Sequence, residues 1–362
     1  MRVRFAPAPT GDLHVGGAMV AVANDLLRRR DGGAFVLRFD DTDGVAPGAE
    51  QAIADDLAWL GIAVDEGPLR QSERADAHRA LAEQLVAAGT AERLADGAVV
   101  LPAVERDVVI DDLSRGSIRL PAGAIARTVL VRADGRPTFH LATACDDRDL
   151  GITHVLRGED HIANTAVQLV LAAAAGVAPP AFAHLPIAVG EDGAKLSSSA
   201  GAAGIAALRA DGVPPAAVVD WLARSACPPL TALPASDADA LARAFDPTRL
   251  GHGTTRLDPA LLASLGRDHL AQLAPDELAA RVLERVEADP EAVRALAPGL
   301  GDATTLAEAA ALVRGVLDRP VPLPPTDEDR AAAAALLADD VETAGKKAVR
   351  RVLTGADRGV PL

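Results

Sequence analysis

A histidine followed closely by two glycines stands near the start of the chain, in "PTGDLHVGGAMVAVANDLLRRR". At the mouth of a helix such residues make an anion trap, because unpaired backbone N–H groups and the positive end of the macrodipole face the same place. Gly16 and Gly17 carry no Cβ, so a flat ligand such as an adenine ring can lie against the backbone. His14 can donate a hydrogen bond to a phosphate oxygen. The stretch contains neither G-x-G-x-x-G nor G-x-x-x-x-G-K-[ST], so a nucleotide bound here uses neither the usual dinucleotide fingerprint nor a P-loop. The same residues read equally well as a glycine-rich helix start with a capping histidine. A second stretch, "AVGEDGAKLSSSAG", sets Lys195 in a polar loop, from which it can reach phosphates as a mobile point charge. Taken alone, such a loop is more often merely solvated. "THVLRGEDH" brings His154, Glu159, Asp160 and His161 close together, but their spacings fit no standard zinc pattern and no metal site is expected.

The elements that must position these residues can be read from pattern. "RVRFAP" is strand-like and ends at Pro7 and Pro9. "PTGD" has turn chemistry, and apolar residues at helical spacing then run from about Val15 to Arg30, stopped by "DGG". "AFVLRFD" is a second strand. Helices follow in "PGAEQAIADDLAWLG" and in "SERADAHRALAEQLVAAG", the latter with Ser72 as the expected N-cap. This β-α-β-α-α order is that of an α/β nucleotide-binding half. The stretch from about 92 to 130 reads as a small inserted β element. The α/β alternation returns at "PTFHLATACDD", and from about Ala203 onward the pattern is almost all helical with proline-rich breaks.

The totals bound the answer. With 362 residues the chain suggests two or three domains, and 49% hydrophobic residues supply a sizeable core. A net charge of −15 makes a nonspecific nucleic-acid coat a poor reading, though a local basic face remains compatible with it. Cys145 and Cys227 are too few and too far apart for a disulfide framework or a Cys-x-x-Cys site. The N-terminus lacks the apolar core of a signal peptide, and the richest apolar run is broken by Gln168, glycine and proline. A soluble, cytoplasmic, monomeric protein without a membrane span is expected.

Seven blocks, "RFAPAPTGDLHVGG", "LRFDDTD", "PGAEQAIADDLAWLGIAVDEGPLRQSER", "DGRPTFHLATACDD", "GITHVLRGEDHIANT", "AHLPI" and "AKLSSS", occur in this order and together closely resemble the catalytic domain of class I glutamyl-tRNA synthetases. "HVGG" stands at the place of the family's His-Ile-Gly-His-type signature, and "KLSSS" at that of its Lys-Met-Ser-Lys-Ser-type loop. The resemblance spans Arg2 to about Arg224 and continues more weakly to the end of the chain. It implies a class I Rossmann-type α/β fold with a parallel sheet at 1–91 and 131–205 and a shortened acceptor-binding insert at 92–130. A stem-contact-like helical region at 206–275 and a truncated anticodon-binding-like helical domain at 276–362 follow. It implies ATP-dependent activation of glutamate and transfer to the 3′ end of tRNA(Glu), with Mg²⁺ accompanying the ATP. Pro7, Thr10, Gly11, His14, Gly16, Gly17 and Lys195 would then bind ATP, and His14, Lys195 and Ser197 would be catalytic. Arg4, Ala6, Ala8, Asp40, Phe139, Thr143 and Arg157 would form the amino-acid pocket, with Arg4 and Arg157 facing an acidic substrate.

The departures from the family pattern fall in the same places. Ala8 replaces a usual Ser, Asp40 a Glu, Phe139 a Tyr and Thr143 an Asn, and each change removes or shortens a polar arm. Ser198 stands where a second Lys is usual, and Ser199 where a basic residue is common. Two alternatives stay open on the sequence: a paralogue that hands an activated acidic amino acid to a modified tRNA base or a non-tRNA acceptor, and a catalytically impaired binding or regulatory protein.

Overall fold

A computed structural model of the chain describes residues 1–42, 44–190 and 204–317. Lys195, Ser197, Ser198 and Ser199 lie outside the described residues, as does the chain after 317. The chain divides into two compact units, Met1–Ala207 with Val218–Asp258, and Leu208–Ala217 with Pro259–Leu362.

The first unit begins with β1 (Arg2–Phe5), buried from Val3 onward. A loop then leads into α1 (Val15–Asp31), which buries Ala18, Met19, Val22 and Leu26 at helical spacing and carries Arg28, Arg29 and Arg30 in its last turn, where cations suit the dipole. The helix ends where Gly32 takes φ 71°, and a Cβ on the next residue, Gly33, would fall 2.2 Å from the Met1 carbonyl oxygen. The chain returns as β2 (Ala34–Phe39), buried on both faces as a central parallel strand must be, and continues through α2 (Ala49–Trp59) to β3 (Glu66–Arg70). Helix α3 (Ala75–Ala87) follows a short 3₁₀ turn, Gln71–Arg74. Ser72 is therefore not the N-cap its sequence position suggested. The Asp41 carboxylate captures it instead, accepting from its amide at 2.8 Å and its hydroxyl at 2.5 Å.

The strands between 92 and 130 form two separate groups. β4 (Glu92–Arg93), β5 (Val99–Leu101) and β8 (Thr128–Val131) make a three-stranded antiparallel sheet. β6 (Val108–Asp112) and β7 (Gly116–Leu120) form a hairpin. After α4 (Phe139–Asp149), β9 (His154–Gly158) and α5 (Ile162–Ala174) comes β10 (Ala181–Leu185), which pairs in parallel with β9 on one side and with β6 on the other. Strands β1, β2 and β3 form one parallel set, and β9, β10 and β6 a second with β7 antiparallel at its edge. The sets meet where the Thr153 amide donates to the Arg2 carbonyl at 2.9 Å, while the side-chain amide of Asn24 in α1 donates to the Leu156 carbonyl at 3.0 Å. Strand order thus reverses between β1 and β9, and the crevice at the carboxyl ends of these two strands is where open α/β sheets place ligands.

β11 (Ile187–Val189) precedes residues 191–203, and α6 (Ile205–Ala210), α7 (Pro215–Ala226) and α8 (Ala238–Ala244) follow them. The region expected to be helical contains one strand, β12 (Thr254–Arg256), which pairs in parallel with β11. In the second unit α9 (Pro259–Ala271), α10 (Pro275–Leu283), α11 (Pro290–Leu296) and α12 (Leu306–Leu317) bury Leu270, Leu278, Val282, Val293 and Val313 together. Pro275 and Pro290 open their helices, where a missing N–H costs nothing, and the Asp289 side chain caps Ala292.

Candidate active site

A cavity of about 270 Å³ opens in the first unit at the carboxyl ends of β1 and β9. Arg4 and Ala6 line it from β1 and its exit, followed by Pro7, Ala8, Thr10 and Gly11 from the loop and by His14 and Gly17 from the mouth of α1. Asp40 enters past the end of β2, Phe139 from the start of α4 and Arg157 from β9. Eleven expected residues therefore meet on one cavity. Two others stand apart from it. Gly16 is not among the lining residues, and Thr143 is fully buried behind Asp40, with its hydroxyl 3.5 Å from an Asp40 oxygen.

The helix mouth has a defined hydrogen-bond polarity. The Gly17 amide donates to His14 Nδ1 at 3.2 Å, so His14 is the N-cap of α1. A neutral imidazole that accepts at Nδ1 carries its proton on Nε2, which makes Nε2 a donor. A Cβ on Gly17 would meet Leu13 Cδ1 at 3.0 Å, so the bare backbone is also a packing requirement. The segment that follows residues 191–203 returns to this place, since the Ile205 amide donates to the Leu13 carbonyl at 2.9 Å and Gly204 bridges to His14.

A buried charge cluster lies behind the cavity and reaches it through Arg4 and Asp40. Arg38, with no exposed surface, donates through Nε to Asp40 at 2.7 Å and through Nη1 to Asp147 at 2.7 Å. Burial opposes its charge, but Asp40, Asp147 and Asp146 outweigh burial and raise its pKa. Burial raises the Asp40 carboxyl, with Arg38 and Arg4 only partly offsetting it. Burial also works to raise Asp147, yet Arg4 and Arg38 prevail and hold it below the usual carboxylate range. Arg4 lies 3.4 Å from Asp147. Asp146 is taken up elsewhere, by Arg74 at 2.7 Å and His78 at 2.8 Å.

Arg157 is the cation this arrangement leaves over. It is 6% exposed and lies over the Phe182 ring, 5.5 Å from its centroid. Its Nη2 donates to Thr165 Oγ1 at 2.6 Å and to Gln168 Oε1 at 2.8 Å. Its Nε and Nη1 have no partner among the described residues. Burial first, then the neighbouring Arg4, push the guanidinium down to about 9, against the pull of Asp147 and Asp40. The group still carries its charge at neutral pH. Arg4, Arg38 and Arg157 thus share two carboxylates, Asp40 and Asp147. A buried cation with unused donors favours an anion in the cavity, and a carboxylate satisfies both charge and hydrogen bonding.

Sequence reasoning missed Arg38 and Asp147. The signals were present as a charged residue inside the apolar strand "FVLRFD" and a paired acid in "ACDD". What joins them is a contact between β2 and α4, which spacing does not encode. Asp12, Val20, Ile53 and His161 also line the cavity without having been singled out for it.

The sequence model of the tRNA synthetases class I (E and Q), catalytic domain, matches residues 1–96 and 100–261. Glutamate–tRNA ligase 1 of Acidiphilium cryptum is 38% identical over 394 residues, which cover 94% of this chain and 84% of that protein. Glutamate–tRNA ligase 1 of Rubrobacter xylanophilus is 39% identical over 297 residues, covering 80% of this chain and 68% of its own length. A solved glutamate tRNA ligase from Elizabethkingia meningosepticum, in complex with its amino acid, matches the fold with a TM-score of 0.79 at 24% identity, covering 94% of this chain and 85% of that one. A doubly wound sheet, a bare helix mouth at its switch point, and relatives at this identity over most of the chain agree: the chain belongs to the class I tRNA synthetases (E and Q).

Proposed function

We propose that the protein is a glutamate–tRNA ligase, which activates glutamate with ATP and passes the glutamyl group to the 3′ end of tRNA(Glu). The observation that carries the choice of an acidic substrate is Arg157, a buried, charged residue of the cavity wall whose Nε and Nη1 have no partner among the described residues. The side-chain carboxylate of glutamate takes the place of the missing anion, with Arg4 beside it. Arg38 holds Asp40 and Asp147 in place, and Asp147 also engages Arg4 at 3.4 Å. Ala6, Ala8 and Phe139 shape the walls, and Thr143 acts from behind by supporting Asp40.

ATP lies against Pro7, Thr10, Gly11 and Gly17, with His14 Nε2–H directed to a phosphate oxygen. An oxygen of the glutamate α-carboxylate attacks the α-phosphorus, and the bond to the bridging oxygen breaks, so that pyrophosphate leaves with the electron pair. A hydroxyl of the 3′-terminal ribose of tRNA then attacks the acyl carbon, and AMP leaves. The chain's contribution is mostly positioning and stabilisation of phosphate charge. Lys195 and Ser197, which lie outside the described residues, take the family loop's role of closing over the phosphates. The carboxylates lining the cavity among the described residues are Asp12, which is exposed, and Asp40, which is engaged by Arg38, so no carboxylate cage for Mg²⁺ is formed there. Mg²⁺ would enter with ATP and be held mainly by its phosphate oxygens.

The test is pyrophosphate exchange and aminoacylation with glutamate, aspartate and glutamine, each with and without tRNA. Exchange and charging with glutamate are expected. Exchange that is faster with glutamine than with glutamate would remove the role given to Arg157.

A further inference from the structure

Arg157 does not hold its orientation alone. Its Nη2 is fixed from behind by a chain of buried polar groups that crosses three elements. Thr165 Oγ1 accepts from Nη2 at 2.6 Å and lies 2.8 Å from His184 Nε2. His184 Nδ1 lies 2.6 Å from Asp112 Oδ2. Thr165 and His184 have no exposed surface, and Asp112 is 4% exposed. The proton pattern runs one way. A carboxylate can only accept, so His184 donates to Asp112 through Nδ1 and its Nε2 is an acceptor. The Thr165 hydroxyl then directs its proton to Nε2 and presents a lone pair to Arg157. Its other neighbour, the His161 carbonyl, is more distant at 3.1 Å. Burial holds His184 below its ordinary pKa despite Asp112, which keeps the ring neutral and this polarity intact.

Asp112 is anchored independently. Its Oδ1 accepts from the amides of Ser114 and Arg115, each at 2.9 Å, and from the Ser114 hydroxyl at 2.8 Å. These bonds close the β6–β7 turn, whose Arg115 is paired with Glu159.

We propose that Asp112, His184 and Thr165 are positioning residues for substrate selection, a relay from the β6–β7 turn that fixes the Arg157 guanidinium beside the acidic side chain. The proposal rests on the glutamate-activating function given above. A planar guanidinium rewards exact placement, because its donors lie in a fixed fork. Loss of one buried hydrogen bond to a charged group corresponds to about a tenfold change in binding.

Thr165→Val cuts the relay in the middle and leaves the Asp112 turn cap intact. In pyrophosphate exchange, its KM for glutamate is expected to rise about tenfold, with KM for ATP within about twofold of wild type. Thr165→Ser restores the hydroxyl and the glutamate KM. Asp112→Asn reverses the polarity at His184 and also raises the glutamate KM. The double variant Asp112→Asn with Thr165→Val is expected to be no worse than Thr165→Val alone, because the two act through one chain. A merely structural relay would lower the melting temperature without separating the two KM values. An unchanged glutamate KM in Thr165→Val, equal rises in both KM values, or multiplicative effects in the double variant would overturn the relay. Wild-type protein that shows no glutamate-dependent exchange, with or without tRNA, would overturn the underlying function instead.

Discussion

Arg157 and Arg38 are two buried guanidinium groups with opposite circumstances, and opposite consequences follow from removing them. Arg38 has two carboxylates within 2.7 Å and serves the fold. Arg38→Met leaves Asp40 and Asp147 buried beside each other without their common partner, and should lower stability by about 3–5 kcal/mol, read from a denaturant midpoint. Arg157 is the cation without an anion. Arg157→Ala should raise KM for glutamate by about a hundredfold or more and change KM for ATP far less, because a buried charge pair to the substrate is lost. Arg157→Lys should remain impaired, since an ammonium cannot reproduce the planar set of donors. If glutamate is handled equally well by Arg157→Ala, the pocket lies elsewhere. At this scale the sequence made Arg4 and Arg157 legible through their family blocks. It did not separate Arg157 from Arg38, because each is simply an arginine inside an apolar strand. The distinction is which carboxylates come within reach: Arg38 pairs with its near neighbour Asp40 and with Asp147 of α4, 109 residues away.

At the scale of elements, the first loop and helix were readable because their signals are local. Turn residues, glycines and apolar spacing placed α1 at the expected start, and the structure adds that His14 does two things there. It caps the helix through Nδ1, and a neutral ring then carries its proton on Nε2, the donor that the proposed function directs to phosphate. The two duties can be separated. His14→Asn keeps a good N-cap, so stability should change by less than about 0.5 kcal/mol, while pyrophosphate exchange falls by about a hundredfold for want of the longer donor. His14→Ala should lose the exchange and also about 1 kcal/mol of stability. Equal exchange rates in His14→Asn and wild type would show that the histidine is only a cap. Element boundaries failed where a distant side chain intervened. Ser72 has the composition of an N-cap, but Asp41 takes its donors, and the helix starts later. β12 looked like part of a helical region because three residues carry little periodicity, and only pairing with β11 makes them a strand.

For the whole molecule, acid sensitivity follows from the carboxylates that the fold holds ionised. Asp112, Asp146 and Asp147 are all kept below their ordinary values by partners that outweigh burial. A carboxylate depressed in the folded state contributes stability that is fully present above its unfolded value of about 3.9 and is lost as pH falls through the folded one. Stability should therefore hold from neutral pH to about 4 and fall steeply below it. Asp146→Asn should start less stable, since Arg74 and His78 lose their anion, but show a shallower fall, measurable as denaturant midpoints across an acid series. A variant as steep as wild type would mean that Asp146 is not depressed. The sequence by itself determined the α/β class, the strand–turn–helix that makes a bare helix mouth, and the family whose residues occur in order, because each of these is carried by neighbours along the chain or by ordered blocks. Only the tertiary structure decided which arginine is balanced and which is left charged, which tautomer His14 and His184 adopt, and that the β6–β7 turn is wired to the pocket through Asp112. Those are matters of burial and of hydrogen-bond direction between groups distant in sequence, and they exist only once the sheet has brought β1, β9, β10 and β6 side by side.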